Sequence, residues 1–284
     1  MRTSSQATLS LSWHKKSADS FARVLRTIAA QARRLTEKNR EATEEAVHEV
    51  RLMVKRVRAL LWFAQPVLAK AQVKALKTEL RRTAHLLAAH RDLHAAQVTL
   101  KRLAEKAGKD RARAAVENAS RALTRHENGA AANSSQDSLR AAGKVLCAAV
   151  DTFTAEVERV EKWPSTGKRT AKAFRSARRA GRKAQRTRED LDFHDWRKKT
   201  KRLLFLLELR DAEPSDGEKR LVKHVDALQS TLGDDHDCVV TAQQLPTAEA
   251  PRDDARLVVK LLRKRQGRLR RKTRKLARRV QKDA

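Results

Sequence analysis

The nine-residue segment HEVRLMVKR beginning at His48 recurs 146 residues later as HDWRKKTKR beginning at His194. Both copies share His, Arg three residues on, and Lys-Arg at seven and eight. At about 100° per residue, positions 0, 3 and 7 of an α-helix lie within roughly 60° of one another. His48, Arg51 and Lys55 therefore form one stripe and His194, Arg197 and Lys201 another, with Arg58 extending the first by a turn. About 160° away on the first helix, Val50, Val54, Val57 and Leu61 form an apolar seam. The second copy repeats it with Trp196, Leu203 and Leu207, Thr200 standing where a Val would. Such helices bury one flank in a bundle and present cations on another. Whatever fold the chain adopts is built around two of them.

The recurrence reaches further. AHRDLHAAQV around Asp92 resembles DDHDCVV around Asp237 at an offset of 145, and at that offset Leu76, Leu80 and Leu87 fall opposite Leu221, Val225 and Leu232. Only eight Gly and five Pro interrupt the chain, while Ala, Leu, Arg, Lys and Glu recur at helical spacing. The pattern predicts an all-α protein with helices at 18–38, 42–65, 67–88, 92–107, 109–127, 137–162, 168–187, 190–210, 217–231, 236–244 and 252–281, and no strand. Pro66, Pro164, Pro214 and Pro251 fall at the breaks. The expected organisation is two homologous helical bundles related by approximate two-fold symmetry, residues 18–130 and 136–284. The polar stretch HENGAAANSSQDS at 126–138 joins them, and residues 1–17 are expected to be loose.

Composition narrows the partner. With 65 Lys and Arg against 34 Asp and Glu, the net charge is +31, which calls for a polyanion: nucleic acid, an acidic membrane, a sulfated polysaccharide or inorganic polyphosphate. Aromatics are 4% of the chain, without Tyr, and do not alternate with basic residues as base-stacking platforms do. A hydrophobic content of 40% suffices for a core, so the chain is not a disordered basic tail. Cys147 and Cys238 match no zinc or redox spacing and fit a reducing cytosol. The N-terminal sequence lacks a signal-peptide apolar run, and no 18-residue uncharged stretch is present, so a soluble cytoplasmic protein with no membrane partner is expected.

Charge runs on helices are ordinarily solvated faces, and a His among them is ordinarily incidental. Two copies with the same His, Arg, Lys and Arg positions point instead to a binding surface. KRTAKAFRSARRAGRKAQRTR, from Lys168 to Arg188, contains no acid, and Arg175, Arg178, Arg179 and Arg182 repel at 3–4 spacing unless an anion relieves them. The final basic helix from Lys260 reads equally as part of that surface or as a solubilising tail. Asp234, Asp235 and Asp237, like Asp92, read as loop and helix-capping carboxylates before a divalent-ion site. Glu45 with His48 has the E-x-x-H spacing of di-iron bundles, but Leu191 stands at the matching place in the second copy. Without a Gly-rich phosphate loop or a repeated nucleophile–base set, neither catalysis nor a cofactor is expected.

HEVRLMVKRVRALLWF and FHDWRKKTKRLLFLLEL resemble the two signature helices of the CHAD family, the conserved-histidine α-helical domain. The RD of AAHRDLHAAQV, the LGDDHD segment and FRSARRAGRKA resemble its further motifs in order, over roughly residue 18 to the end. The resemblance implies two pseudo-symmetric helical bundles whose basic helices line a groove for inorganic polyphosphate, and association with polyphosphate granules. The matching positions are His48, Arg51, Lys55, Arg56, Arg58, His194, Arg197, Lys198, Lys201 and Arg202, with Arg175, Arg178 and Arg179 on the neighbouring helix. Leu204 departs from the pattern where the first copy has Arg58. The triphosphate-hydrolysing tunnel domain that sometimes accompanies this family carries E-x-E-x-K. The nearest string here, EVERV from Glu156, puts Val160 in place of the Lys.

Arg supplies forked donors to phosphate oxygens, Lys a mobile charge, and His a donor that strengthens on protonation near pH 6.5. His48 and His194 are therefore expected to tighten binding at mildly acidic pH. The competing reading is a sequence-independent nucleic-acid-binding protein, whose backbone contacts use the same cations. The oligomeric state is left open.

Overall fold

The computed structural model describes residues 17–38, 43–107, 110–130, 135–209, 214–245 and 250–284. The expected loose terminus, apart from Ser17, lies outside them, as do residues 131–134 of the expected connection and the Asp92 side chain. Among the described residues there are ten α-helices and no strand: α1 (Ser17–Lys38), α2 (Glu44–Ala64), α3 (Lys70–Leu86), α4 (Ala88–Ala104), α5 (Asp110–Ala130), α6 (Ser135–Glu158), α7 (Thr166–Thr187), α8 (Asp190–Glu208), α9 (Asp216–Gln244) and α10 (Arg252–Lys282). The all-α reading holds. None of these helices is long and apolar enough to cross a membrane.

Local chemistry sets the ends. Thr43 Oγ1 accepts the Ala46 N–H at 3.2 Å to start α2. Ser215 and Glu218 cap α9 reciprocally, with Ser215 Oγ accepting at 3.3 Å and Glu218 Oε2 at 2.9 Å. Pro66 sits in a 3₁₀ turn, Gln65–Val67, between α2 and α3, and Pro251 is the N-cap of α10. At the end of α7, Arg188 adopts φ 61°, and its N–H bonds the Ala184 carbonyl at 2.9 Å.

The predicted apolar seams are the faces that become buried: Val50, Val54, Val57 and Leu61 on α2, Trp196, Thr200 and Leu203 on α8. They belong to one large core that also takes Phe21 of α1, Leu80 of α3, Phe153 of α6 and Val225 of α9. A smaller core gathers Leu100 of α4, Ala119 of α5, Cys238 of α9, and Val258 and Leu262 of α10. Neither core divides at 130/136. The apolar face of α6, with Leu139, Leu146, Val150 and Phe153, lies on α1 and α3, and α4 and α5 close against α9 and α10. The basic α10 is an integral helix of the fold, burying Val258, Leu262, Leu276 and Val280. α7 and α8 approach closely at Gly181, where an added Cβ would lie 2.7 Å from the Trp196 ring, itself 2% exposed.

One expected break is absent. The chain runs through LGDDHD as a single helix, and the carboxylates read as caps are engaged from a distance. Asp234 Oδ1 accepts from Arg102 at 3.0 Å, and Asp235 Oδ1 accepts from Arg270 Nε at 3.0 Å. Cations on α4 and α10 thus do what the capping reading assigned to a helix start, and Gly233, instead of ending a helix, leaves room for Arg197.

Candidate functional site: the cationic seam of α2 and α8

α2 and α8 pack directly on each other. Along their seam, equivalent positions interact across the two helices. Arg202 of α8 lies over the Trp62 ring of α2 at 4.9 Å, and Arg56 of α2 lies in the field of Glu208 of α8, residues 62 and 208 being 146 apart like 56 and 202. Burial lowers the pKa of both arginines, Glu208 and Glu49 opposing the shift at Arg56 and Asp195 at Arg202. Trp62 also receives Arg169 of α7, whose guanidinium stands 3.8 Å from the ring centroid and donates to the Trp62 carbonyl. Arg169 is itself buried, and desolvation followed by the Arg202 charge lowers its pKa.

The predicted stripes meet electrostatically. His48 is exposed at the surface, yet its pKa falls below the ordinary value, first because protein partly desolvates the ring and then because of Lys55, Lys201 and Arg51, with Glu49 opposing them. Lys201 comes from the second copy, so cations of both copies act on one imidazole. Arg51 also has a scaffold role: its Nη1 donates to the Leu87 carbonyl at 2.8 Å, at the junction of α3 and α4. Arg58 Nη2 donates to the Leu80 carbonyl at 2.7 Å. Both arginines hold α3 beside the motif helix, Arg51 just past its end and Arg58 at Leu80.

In the second copy the same positions press inward. The His194 ring lies 4.6 Å from that of His236 on α9, and Arg197 Nε is 3.9 Å from where a Cβ on Gly233 would sit. Leu204, in the place of Arg58, is buried in the core. Lys201 Nζ stands 5.5 Å from the Phe205 ring, and Lys198 is exposed.

Arg175, Arg178 and Arg179 are exposed but do not join the seam. The face of α7 that packs inward carries Ala173, Ala177, Ala180 and Ala184, and these arginines lie roughly 130–190° around the helix from it. α7 reaches the seam through Arg169, near its start.

A brace holds the start of α8. Arg270 of α10 donates to the Arg188 carbonyl at 2.6 Å, to Asp235 at 3.0 Å and to Asp190, and its guanidinium lies 4.1 Å from the Phe193 ring centroid. Burial drives the Asp235 carboxyl up to about 6 against the opposing pull of Arg270. Sequence reasoning missed Arg270, Arg169, Trp62 and His236. The only available signal was for His236, which sits inside the recurrent LGDDHD segment.

A protein-family model described as the CHAD domain matches residues 20–246. No curated relative matches the sequence. Among solved structures, the crystal structure of the CHAD domain from the plant Ricinus communis is 18% identical with a TM-score of 0.62, over 92% of this chain and 88% of that one. PptA from Streptomyces chartreusis is 16% identical with a TM-score of 0.59, over 94% of this chain and 98% of that one. At these identities the two structural likenesses concern the fold.

Proposed function

The chain belongs to the CHAD family, and on that premise we propose that it binds inorganic polyphosphate, without hydrolysing it, along the cationic surface shared by α2 and α8. One observation carries this reading: burial lowers the pKa of His48 first, and Lys55 of its own stripe, Lys201 of the second and Arg51 lower it further, so cations of both copies bear on one exposed imidazole. Cations crowded around an exposed imidazole repel one another, and a flexible polyanion relieves that repulsion at several points at once. Polyphosphate has a charge on every phosphate and no base to read. That suits a protein with many forked and mobile cations and few aromatics. Arg56, Arg58, Arg197, Lys198 and Arg202 extend the track, His194 adds a donor beside His236, and Arg175, Arg178 and Arg179 meet the polymer only beyond the seam. In the cell, this binding would place the protein on polyphosphate granules.

The test is titration with long-chain polyphosphate at near-physiological salt, competed by duplex DNA and by RNA at equal phosphate concentration. Lys55→Ala combined with Lys201→Ala is the informative variant, because Arg51 also holds the end of α3. Losing two charge-assisted contacts of about 1.5–3 kcal/mol each should weaken binding by at least about a hundredfold and abolish the preference over nucleic acid. Equal competition by DNA or RNA against the wild type would reassign the surface to sequence-independent nucleic-acid binding.

A further inference from the structure

We propose that a pocket between α4, α5, α9 and α10, separate from the α2–α8 seam, binds a nucleoside polyphosphate. The cavity measures about 650 Å³, within the range of about 300–1,000 Å³ usual for small-ligand sites. Lys106, just past the end of α4, and Lys264, Arg265, Arg268 and Lys272 of α10 line it. The four α10 residues share one helical face by their spacing. The one carboxylate in the lining is Asp234, already shared: its Oδ1 accepts from Arg102 at 3.0 Å, and its Oδ2 lies 3.8 Å from Arg265 Nη2. A strong positive excess remains.

Arg265 is the telling residue. Its side chain is only 14% exposed, and its buried Nε has no hydrogen-bond partner among the described residues. Burying a guanidinium with a donor unsatisfied is costly, and a phosphate oxygen would satisfy it. The walls are aliphatic, with Leu103, Leu261 and Leu269 prominent. A bare phosphate chain leaves those walls unused, and an apolar ligand leaves the cations unanswered. A planar base joined to clustered phosphates satisfies both, its face resting on the leucines and open to guanidinium stacking.

The pocket opens on a different side of α9 from the seam. Asp234 is about 100° around the helix from Gly233, which faces Arg197. The proposal therefore stands or falls independently of polyphosphate binding, and it gives the basic α10 a ligand of its own.

The experiment is equilibrium titration of the full chain with ATP, alongside AMP and inorganic triphosphate as separate probes, at about 0.15 M salt so that surface charge is screened. The expected result is one ATP per chain, with AMP and triphosphate each weaker by about tenfold or more, since each offers only half of the recognised chemistry. Lys264→Gln with Lys272→Gln, both exposed positions, should weaken ATP by about tenfold or more at unchanged melting temperature, while Lys55→Ala with Lys201→Ala should leave ATP binding within about twofold. Arg265→Gln, checked for folding, should act in the same direction as the double Gln variant. The proposal is overturned if ATP does not bind, if triphosphate binds as tightly as ATP, or if the seam variant loses ATP while the Lys264/Lys272 variant keeps it.

Discussion

In α2 the arginine of the repeated frame reaches sideways to the Leu87 carbonyl at the end of α3, whereas in α8 its equivalent presses against Gly233 of α9. The histidines differ in the same sense: His48 is exposed, and His194 is half-buried against His236. One turn further on, Arg58 stands in the open and Leu204 lies in the core. Where the two helices touch each other, by contrast, Arg202 lies over Trp62 and Arg56 feels the charge of Glu208, an interaction between the equivalent positions. A repeated sequence frame therefore specifies where cations stand around a helix, and the neighbouring helices specify whether a ligand can reach them. The first copy is the open one, and the second is braced.

The brace is the largest lever on that difference. Arg270→Ala leaves Asp235, 2% exposed, without its cation and frees the α7–α8 junction. Breaking such a pair from one side costs about 3–5 kcal/mol, to be read by chemical denaturation, and α8 should show faster hydrogen exchange from its N-terminal end. Swapping the divergent position tests the asymmetry directly. Leu204→Arg drives a charge into the core and should cost several kcal/mol, on the order of 3 or more, whereas Arg58→Leu loses one surface-side bond and should cost about 1 kcal/mol. Equal losses from these two substitutions would mean that the copies are equivalent after all.

Smaller effects follow from protonation. His48 has a depressed pKa, so it is largely neutral at pH 7, and bound phosphate favours its imidazolium form. Polyphosphate affinity, corrected for the charge on the polymer, should rise as pH falls from 7 towards 5.5, by about tenfold at most per proton taken up and unit of pH. His48→Ala should flatten that dependence. Asp235 binds its proton more tightly folded than unfolded, with a pKa of about 6 against an ordinary value of 3.8. The folded state therefore gains relative stability as pH falls through 6, until the unfolded carboxyl also protonates. In paired melts, wild type should gain on Asp235→Asn between pH 7 and pH 5, and a difference independent of pH would refute this linkage.

Much of this was readable in one dimension. Helical spacing placed Val50, Val54, Val57, Trp196 and Leu203 in the core, and the same spacing placed His48, Arg51 and Lys55 on one stripe. Both depend on residues within a few turns of each other. The course of α9 did not yield to that logic: Asp234 and Asp235 look like caps because their local chemistry is that of caps, and the arginines that claim them, 102 and 270, lie on other helices. Arg169 on Trp62 is similarly invisible, since no local pattern pairs a basic helix with an aromatic more than a hundred residues earlier. The bearing of Arg175, Arg178 and Arg179, exposed on α7, was beyond the same logic. Periodicity shows which residues share a face, and only packing shows where that face points.

The exchange of helices between the cores has a consequence for synthesis. Leu100 and Ala119 complete their core with Cys238, Val258 and Leu262, which leave the ribosome well over a hundred residues later. At about 5–20 residues per second, that delay is on the order of ten seconds. Throughout it, an alanine- and leucine-lined face of α4 and α5 is open to water, so the unfinished chain is more prone to self-association than the finished protein, and the arrival of α9 and the basic α10 ends the exposure.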